Sequence, residues 1–159
     1  MKKIYLLLIF FLFLFKHHNA QKFIWAKKFG GAGNDISNAI KVDKGGNFYV
    51  AGSFRNDAIF DTITINSDGG EDIFVVKYNT PEKIEWLIKV GGKGSATANA
   101  IDIDNEGNIY VAGYFNGALD FVATTLTAIG NNDGFLAKYS FKNLLFHFEP
   151  KESQLSSNN

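Results

Sequence analysis

The feature that most constrains this chain is an internal repeat: residues 25–78 lie over residues 86–139 at a constant offset of 61 without a gap, and 23 of the 54 positions are identical. The pairs include Trp25/Trp86, Gly30-Gly31/Gly91-Gly92, Asn38-Ala39-Ile40/Asn99-Ala100-Ile101, Asp43/Asp104, Tyr49-Val50-Ala51-Gly52/Tyr110-Val111-Ala112-Gly113, Phe54/Phe115, Asp72/Asp133, Phe74/Phe135 and Lys77-Tyr78/Lys138-Tyr139. Such a period marks a supersecondary unit that cannot bury its apolar face alone and stacks on copies of itself.

Within one copy the pattern is strand, turn, strand. Ala100-Ile101-Asp102-Ile103-Asp104 alternates apolar with polar, and Ile109-Tyr110-Val111-Ala112-Gly113-Tyr114-Phe115 is apolar on both faces. Alternation suits a half-exposed strand, and an unbroken apolar run suits a strand covered on both sides. Ile73-Phe74-Val75-Val76 and, more weakly, Phe135-Leu136-Ala137 have the same doubly covered character. The turns Asp43-Lys44-Gly45-Gly46-Asn47 and Asp104-Asn105-Glu106-Gly107-Asn108 start with Asp and carry Gly fourth. Asp accepts hydrogen bonds from a turn backbone, and Gly takes the left-handed conformation of a G1 bulge. A second hairpin is expected between Phe74–Tyr78 and Trp86–Val90 through the loop at 79–83, and a Thr-rich extended segment, 61–66 or 122–127, is expected to bridge the second and third strands.

The expected fold class is therefore all-β: tandem four-stranded antiparallel blades of a β-propeller, about two blades plus the start of a third, not a closed ring. A parallel β-helix or a sandwich is the competing architecture. The period exceeds that of the WD and kelch units, and the bridging segment accounts for the excess. An open pair of blades also leaves one face of each outer sheet bare, and Phe54, Phe74, Tyr110, Phe115 and Phe135 are expected among the residues left there.

The succession Trp, Gly-Gly, Asp-x-x-Gly-Asn-x-Tyr-Val-Ala-Gly, then Asp-x-Phe followed by Lys-Tyr, resembles the SBBP family of β-propeller repeats found in exported bacterial proteins, over residues 25–146. The resemblance implies a propeller and an extracellular or cell-surface setting, and it carries no catalytic residue to transfer. Two copies are present where a ring needs at least four blades. The register fails after Tyr139, with His147 at the position of a third Trp.

The expected organisation is a secretory signal at 1–20, a first repeat at 21–85, a second repeat and the start of the next strand at 86–146, and a polar tail at 147–159. Lys2 and Lys3 precede twelve unbroken apolar residues from Ile4 to Phe15, with Ala20 as a candidate cleavage position. That run is shorter than the roughly 20 residues of a membrane span, so the membrane is expected to matter only through the signal segment. Beyond Ala20 the chain carries 13 bases against 16 acids, which gives no basic stripe for nucleic acid. With no cysteine there is no disulfide, and stability must come from packing, for which 24 aromatic residues supply the surface.

Candidate chemistry is sparse. The only histidines are His17, His18 and His147, which leaves little for zinc or for a His-based general base. Gly31-Ala32-Gly33 and Gly92-Lys93-Gly94 lack the third glycine of a dinucleotide loop and read as turns between blades. Asp102-Ile103-Asp104-Asn105-Glu106-Gly107 imitates half of an EF-hand loop, but Gly113 stands where the bidentate Glu is needed and Lys41 is the counterpart of Asp102. Acids that recur in both copies, Asp43/Asp104 and Asp72/Asp133, serve what the blades share, which is folding. Specific function should sit where the copies differ: Asn34-Asp35 against Ser95-Ala96, Arg55-Asn56-Asp57 against Asn116-Gly117-Ala118, and Ser67-Asp68 against Ala128-Ile129.

The functional expectation is an exported, non-enzymatic repeat protein with a binding, adhesion or structural role, taking a protein or carbohydrate ligand and self-associating or docking to another repeat protein. No catalytic, cofactor or metal residue is assigned and no cofactor is expected. The alternative is a small secreted hydrolase or lyase that uses carboxylates on a propeller scaffold.

Overall fold

The computed structural model describes residues 21–79 and 83–141. The signal segment, the start of a third unit and the polar tail fall outside them. Ten strands run in chain order: β1 (Gly30–Gly31), β2 (Ile36–Val42), β3 (Phe48–Phe60), β4 (Ile63–Asn79), β5 (Lys83–Val90), β6 (Ala96–Ile103), β7 (Ile109–Phe115), β8 (Ala118–Phe121), β9 (Thr124–Thr127) and β10 (Asp133–Tyr139). Every pairing is antiparallel.

The first sheet has β2, β3, β4 and β5 side by side, with β1 joining the far half of β3. The second has β6, β7 and β10 in the same order as β2, β3 and β4. These are two blades of an open propeller, the architecture that the hairpin signals predict. The hairpin at 79–83 is also present, joining β4 to β5. Consequently the strand holding Trp86 belongs to the first sheet, although Trp86 opens the second copy of the sequence repeat.

The Thr-rich segment is not a bridge. Its residues form the return half of a hairpin arm, with Asp57↔Asn66 through Phe60↔Ile63 in the first unit and Ala118↔Thr127 through Phe121↔Thr124 in the second. The outgoing half, 57–60 or 118–121, is a continuation of the second strand of the blade. In the first unit the arm is continuous with β3 and β4 across a bulge at Asn56, whose φ is 62°; in the second it separates at Gly117, whose φ is 66°. Both residues hold the left-handed conformation that turns the chain there, which Asn tolerates better than most residues with a Cβ.

The two sheets pack face to face. Between them lie Tyr49, Ala51, Ile73, Val75, Trp86 and Val90 from the first and Ala98, Ile101, Ile109, Val111, Phe115 and Phe135 from the second. The other face of the first sheet holds Phe48, Val50, Phe54, Phe60, Phe74, Val76 and Tyr78. That face is not bare. Trp25 stacks on Phe48 at 5.3 Å, and Phe29 stacks on Phe60 at 4.8 Å and meets Phe74 edge-on at 5.2 Å. Of the five residues expected on open faces, Phe54, Phe74, Phe115 and Phe135 are therefore buried and Tyr110 is half-buried. The first two are covered by the segment before β1 and by the hairpin arm; the other two point into the interface between the blades.

The doubly covered character holds in full for Ile73–Val76. In β7 and β10 it holds on one face only, because Tyr114 and Leu136 on the far side of the second sheet remain exposed. Polar contacts lock the blades as well. Gly94 O accepts from Gly70 N at 2.8 Å, Ser95 Oγ accepts from Glu71 N at 3.2 Å, and Asn38 Nδ2 donates to Ala98 O at 2.9 Å.

Candidate functional site

The acids shared by both copies are consumed locally. Asp43 Oδ1 accepts from the backbone of Gly45 and Asn47 at 2.8 and 2.9 Å, and Oδ2 accepts from Asn47 Nδ2 at 2.8 Å and the Tyr49 hydroxyl at 3.2 Å. Asp104 repeats this with Glu106 N, Asn108 N, Asn108 Nδ2 and Tyr110 Oη at 2.9, 2.9, 2.6 and 3.1 Å. The Asn108 amide, with the turn backbone and the tyrosine behind it, holds the Asp104 carboxyl down to about 2. For Asp43, burial opposes ionisation but the same four donors outweigh it, and its pKa is also lowered. This explains the spacing Asp-x-x-Gly-Asn-x-Tyr: one carboxylate closes the turn and anchors the next strand.

The half EF-hand pattern resolves in the same way. Asp102 pairs with Lys41 at 2.6 Å and accepts from Ile103 N, while Asp104 faces the turn. The second shared pair clamps a loop: Asp72 Oδ2 accepts from Asp68 N and Asp133 Oδ2 from Ile129 N, both at 2.9 Å. Burial pushes the Asp72 carboxyl up, against the opposing pull of the Asp68 backbone and Lys89, whose Nζ lies 3.7 Å away.

The Gly-x-Gly pieces lie against the roots of the hairpin arms. A Cβ on Gly31 or Gly33 would overlap the carbonyl oxygens of Asp57 or Arg55, and one on Gly92 or Gly94 those of Ala118 or Asn116. They are close-approach positions, at the crossing between units.

The structure brings the positions where the copies differ to the same place in the first unit, the root of its arm. Asn56 N donates to Ser67 Oγ at 3.0 Å, Asn66 pairs with Asp57, Gly31 N donates to Asp35 Oδ2 at 2.7 Å, and Lys89 meets Asp68 at 2.5 Å. In the second unit Ser95 and Asn116 bond each other and tie the blades together. The differences thus alter how each arm is held, and no opposed pair of free carboxylates emerges from them.

The feature with the room and chemistry for a ligand is a groove of about 690 Å³ beside β10. It is lined by Ile88 and Val90 of β5, Phe121 and Leu126 of the second hairpin arm, and Ala137 and Tyr139 of β10. Burial raises the Tyr139 hydroxyl to about 12, so it stays a neutral donor over the physiological range. Trp86 and Phe141 stack at 4.6 Å in the same aromatic region. A smaller hollow of about 280 Å³ lies by Trp25, Phe48 and Tyr78.

The groove runs along a backbone edge. β4 pairs with β3 on one side and β5 on the other, whereas β10, its counterpart, pairs only with β7 among the described residues. Sequence reasoning missed this edge as a site. Its one signal was the loss of register after Tyr139.

Comparison with known proteins agrees with the geometry. The family model described as a β-propeller repeat, SBBP, matches residues 85–119, which run from β5 into the second hairpin arm. Over those residues the chain is similar to an SBBP β-propeller repeat. The first unit, related to these residues by the offset of 61, has its strands in the same order. An uncharacterized WD repeat-containing protein of Acanthamoeba polyphaga mimivirus is 29% identical over 134 residues, covering 74% of this chain. The chain spans 9% of that relative's length.

Proposed function

We propose that this chain is an exported, non-enzymatic propeller-repeat protein that acts at or beyond the cell surface by binding, with a protein or carbohydrate surface as its ligand. The observation that carries the reading is the apolar groove beside β10, bounded by a strand edge that has no partner among the described residues: such a groove takes an extended chain through main-chain hydrogen bonds and side-chain pockets. The engagement of Asp43, Asp104, Asp72 and Asp133 in turns and loops supports binding over carboxylate chemistry. The export part rests on residues 1–20 of the sequence.

The test has two arms. Expressed in a Gram-negative host, the chain should leave the cytoplasm and lose about its first twenty residues; mass spectrometry of a cytoplasmic product that retains Met1 overturns export. The purified chain should bind members of a polysaccharide or peptide panel in calorimetry without turning them over. Release of new reducing ends or unsaturated sugars overturns the non-enzymatic reading.

A further inference from the structure

The edge of β10 left unpaired among the described residues has a counterpart elsewhere in the same molecule. Residues 22–29, Lys-Phe-Ile-Trp-Ala-Lys-Lys-Phe, precede β5, Lys-Ile-Glu-Trp-Leu-Ile-Lys-Val, by the repeat offset of 61. β5 is the fourth strand of the first blade and pairs along β4 from Tyr78↔Ile84 to Ile73↔Val90. Residues 22–29 have the place of a fourth strand in the repeat but pair with no strand among the described residues. Phe23 is 76% exposed, Ile24 is 72% exposed, and Trp25, stacked on Phe48, is 45% exposed.

The outer faces match in the same sense. Leu136, 74% exposed on the open side of the second sheet, is the repeat counterpart of Val75, which is 1% exposed within the interface between the blades. Ile40, 61% exposed on the first sheet, is the counterpart of Ile101 at 9%, and exposed Val42 is the counterpart of Ile103, which packs against the same core. Each end of the two-blade stack thus presents one half of an interface that is already formed once inside the molecule.

We infer that the groove beside β10 is occupied by residues 22–29 of a second copy of this chain, which adds a fourth strand to the three described in the second sheet and brings the first blade of that copy onto the second blade of this one. This rests on the reading of the groove as a binding surface. The register follows from β4 and β5: Ala26 falls opposite Ala137, Trp25 opposite Lys138 and Phe29 opposite Gly134. The Trp25 side chain need not move far from Phe48, because Trp86 likewise belongs to one blade by its backbone and packs into the core shared with the next. The contact is heterologous, so repetition gives a closed ring or an open array. Strand addition supplies main-chain bonds along the edge of β10 that has no partner among the described residues.

The absence of native cysteine makes the test clean. Ala26→Cys and Ala137→Cys chains, mixed and oxidised, should form a covalent heterodimer, and light scattering on the purified chain should give a concentration-dependent multiple of the monomer mass. Leu136→Asp, at an exposed position, should return the mass to that of a monomer with the melting temperature of the remaining chain retained. A monomer at all concentrations overturns the proposal, and so does an oligomer indifferent to Leu136→Asp, which would associate through other residues. An intramolecular disulfide between Ala137→Cys and Phe148→Cys in a monomer also overturns it, since the slot would then be filled by the chain's own following segment. The masses are read without added ligand and on chain lacking residues 1–20, so failure of the panel binding or of export is told apart from failure of this assembly.

Discussion

Gly46 and Gly107 have φ of 81° and 83°, and in both turns the glycine N–H donates to the carbonyl of the Asp three residues earlier at 3.1 Å. This is a type I turn with a G1 bulge, as Asp at the first position and Gly at the fourth imply. Replacing either glycine with Val should cost about 1–3 kcal/mol, because a β-branched residue resists positive φ. At Gly107 nothing lies within 4 Å of a new Cβ, so the loss there would come from backbone conformation alone. Denaturant titration of both variants measures it, and unchanged midpoints would remove the bulge assignment.

The carboxylates of the two clamp types respond to pH in opposite directions. Asp104 has its folded pKa held down at about 2 against an ordinary 3.8, so its contribution is present above the ordinary value and is lost as the pH falls towards 2. Asp72 has its pKa raised, so its contribution is greatest below the ordinary carboxylate value and declines as the pH rises through the folded one. Asp72→Asn should therefore match or exceed the parent in stability at neutral pH, with the difference closing on acidification. Thermal melts of the two proteins from pH 7 down to 3 decide it; a large loss at pH 7 that closes on acidification would show that the charge on Asp72 is needed and overturn the prediction.

At the scale of elements, the hairpin arms show how a single repeat serves two positions. Phe60 in the first arm is fully buried, stacked on Phe29 and 5.0 Å from Phe74. Its repeat counterpart Phe121 is half-buried, with Phe135 at 6.2 Å, and it lines the groove. Phe60→Ala should cost about 3–5 kcal/mol, the range for emptying a packed aromatic site. Phe121→Ala should cost distinctly less. Chemical denaturation of the pair tests the difference, and equal losses would mean that the second arm is packed as fully as the first. The arm was half legible in the sequence: the Thr-rich return strand stands out by β-propensity, while Asp57-Ala58-Ile59-Phe60 and Ala118-Leu119-Asp120-Phe121 were hidden. Between Phe54 and Ala58 the apolar alternation is interrupted by Arg55-Asn56-Asp57, and only the register of the paired strands reveals that the strand resumes beyond the bulge.

At the scale of the whole molecule, the constant offset of 61, the two Asp-x-x-Gly-Asn turns and the apolar runs were enough by themselves to determine a stack of antiparallel blades. These signals are local or strictly periodic, and a strand flanked by a turn of fixed chemistry has few alternative partners. Which apolar residues face a neighbour depended on the tertiary structure. Phe54 and Phe74 were expected on a bare face, and the segment from Trp25 to Phe29 covers them; Leu136 was grouped with a doubly covered strand, and it lies exposed. Burial is a property of what lies across the sheet, and two residues with the same place in the repeat, such as Val75 and Leu136, differ only because one has a blade in front of it. The groove beside β10 was undetermined by the sequence for the same reason, since an edge unpaired among the described residues exists only relative to the strand that would pair with it.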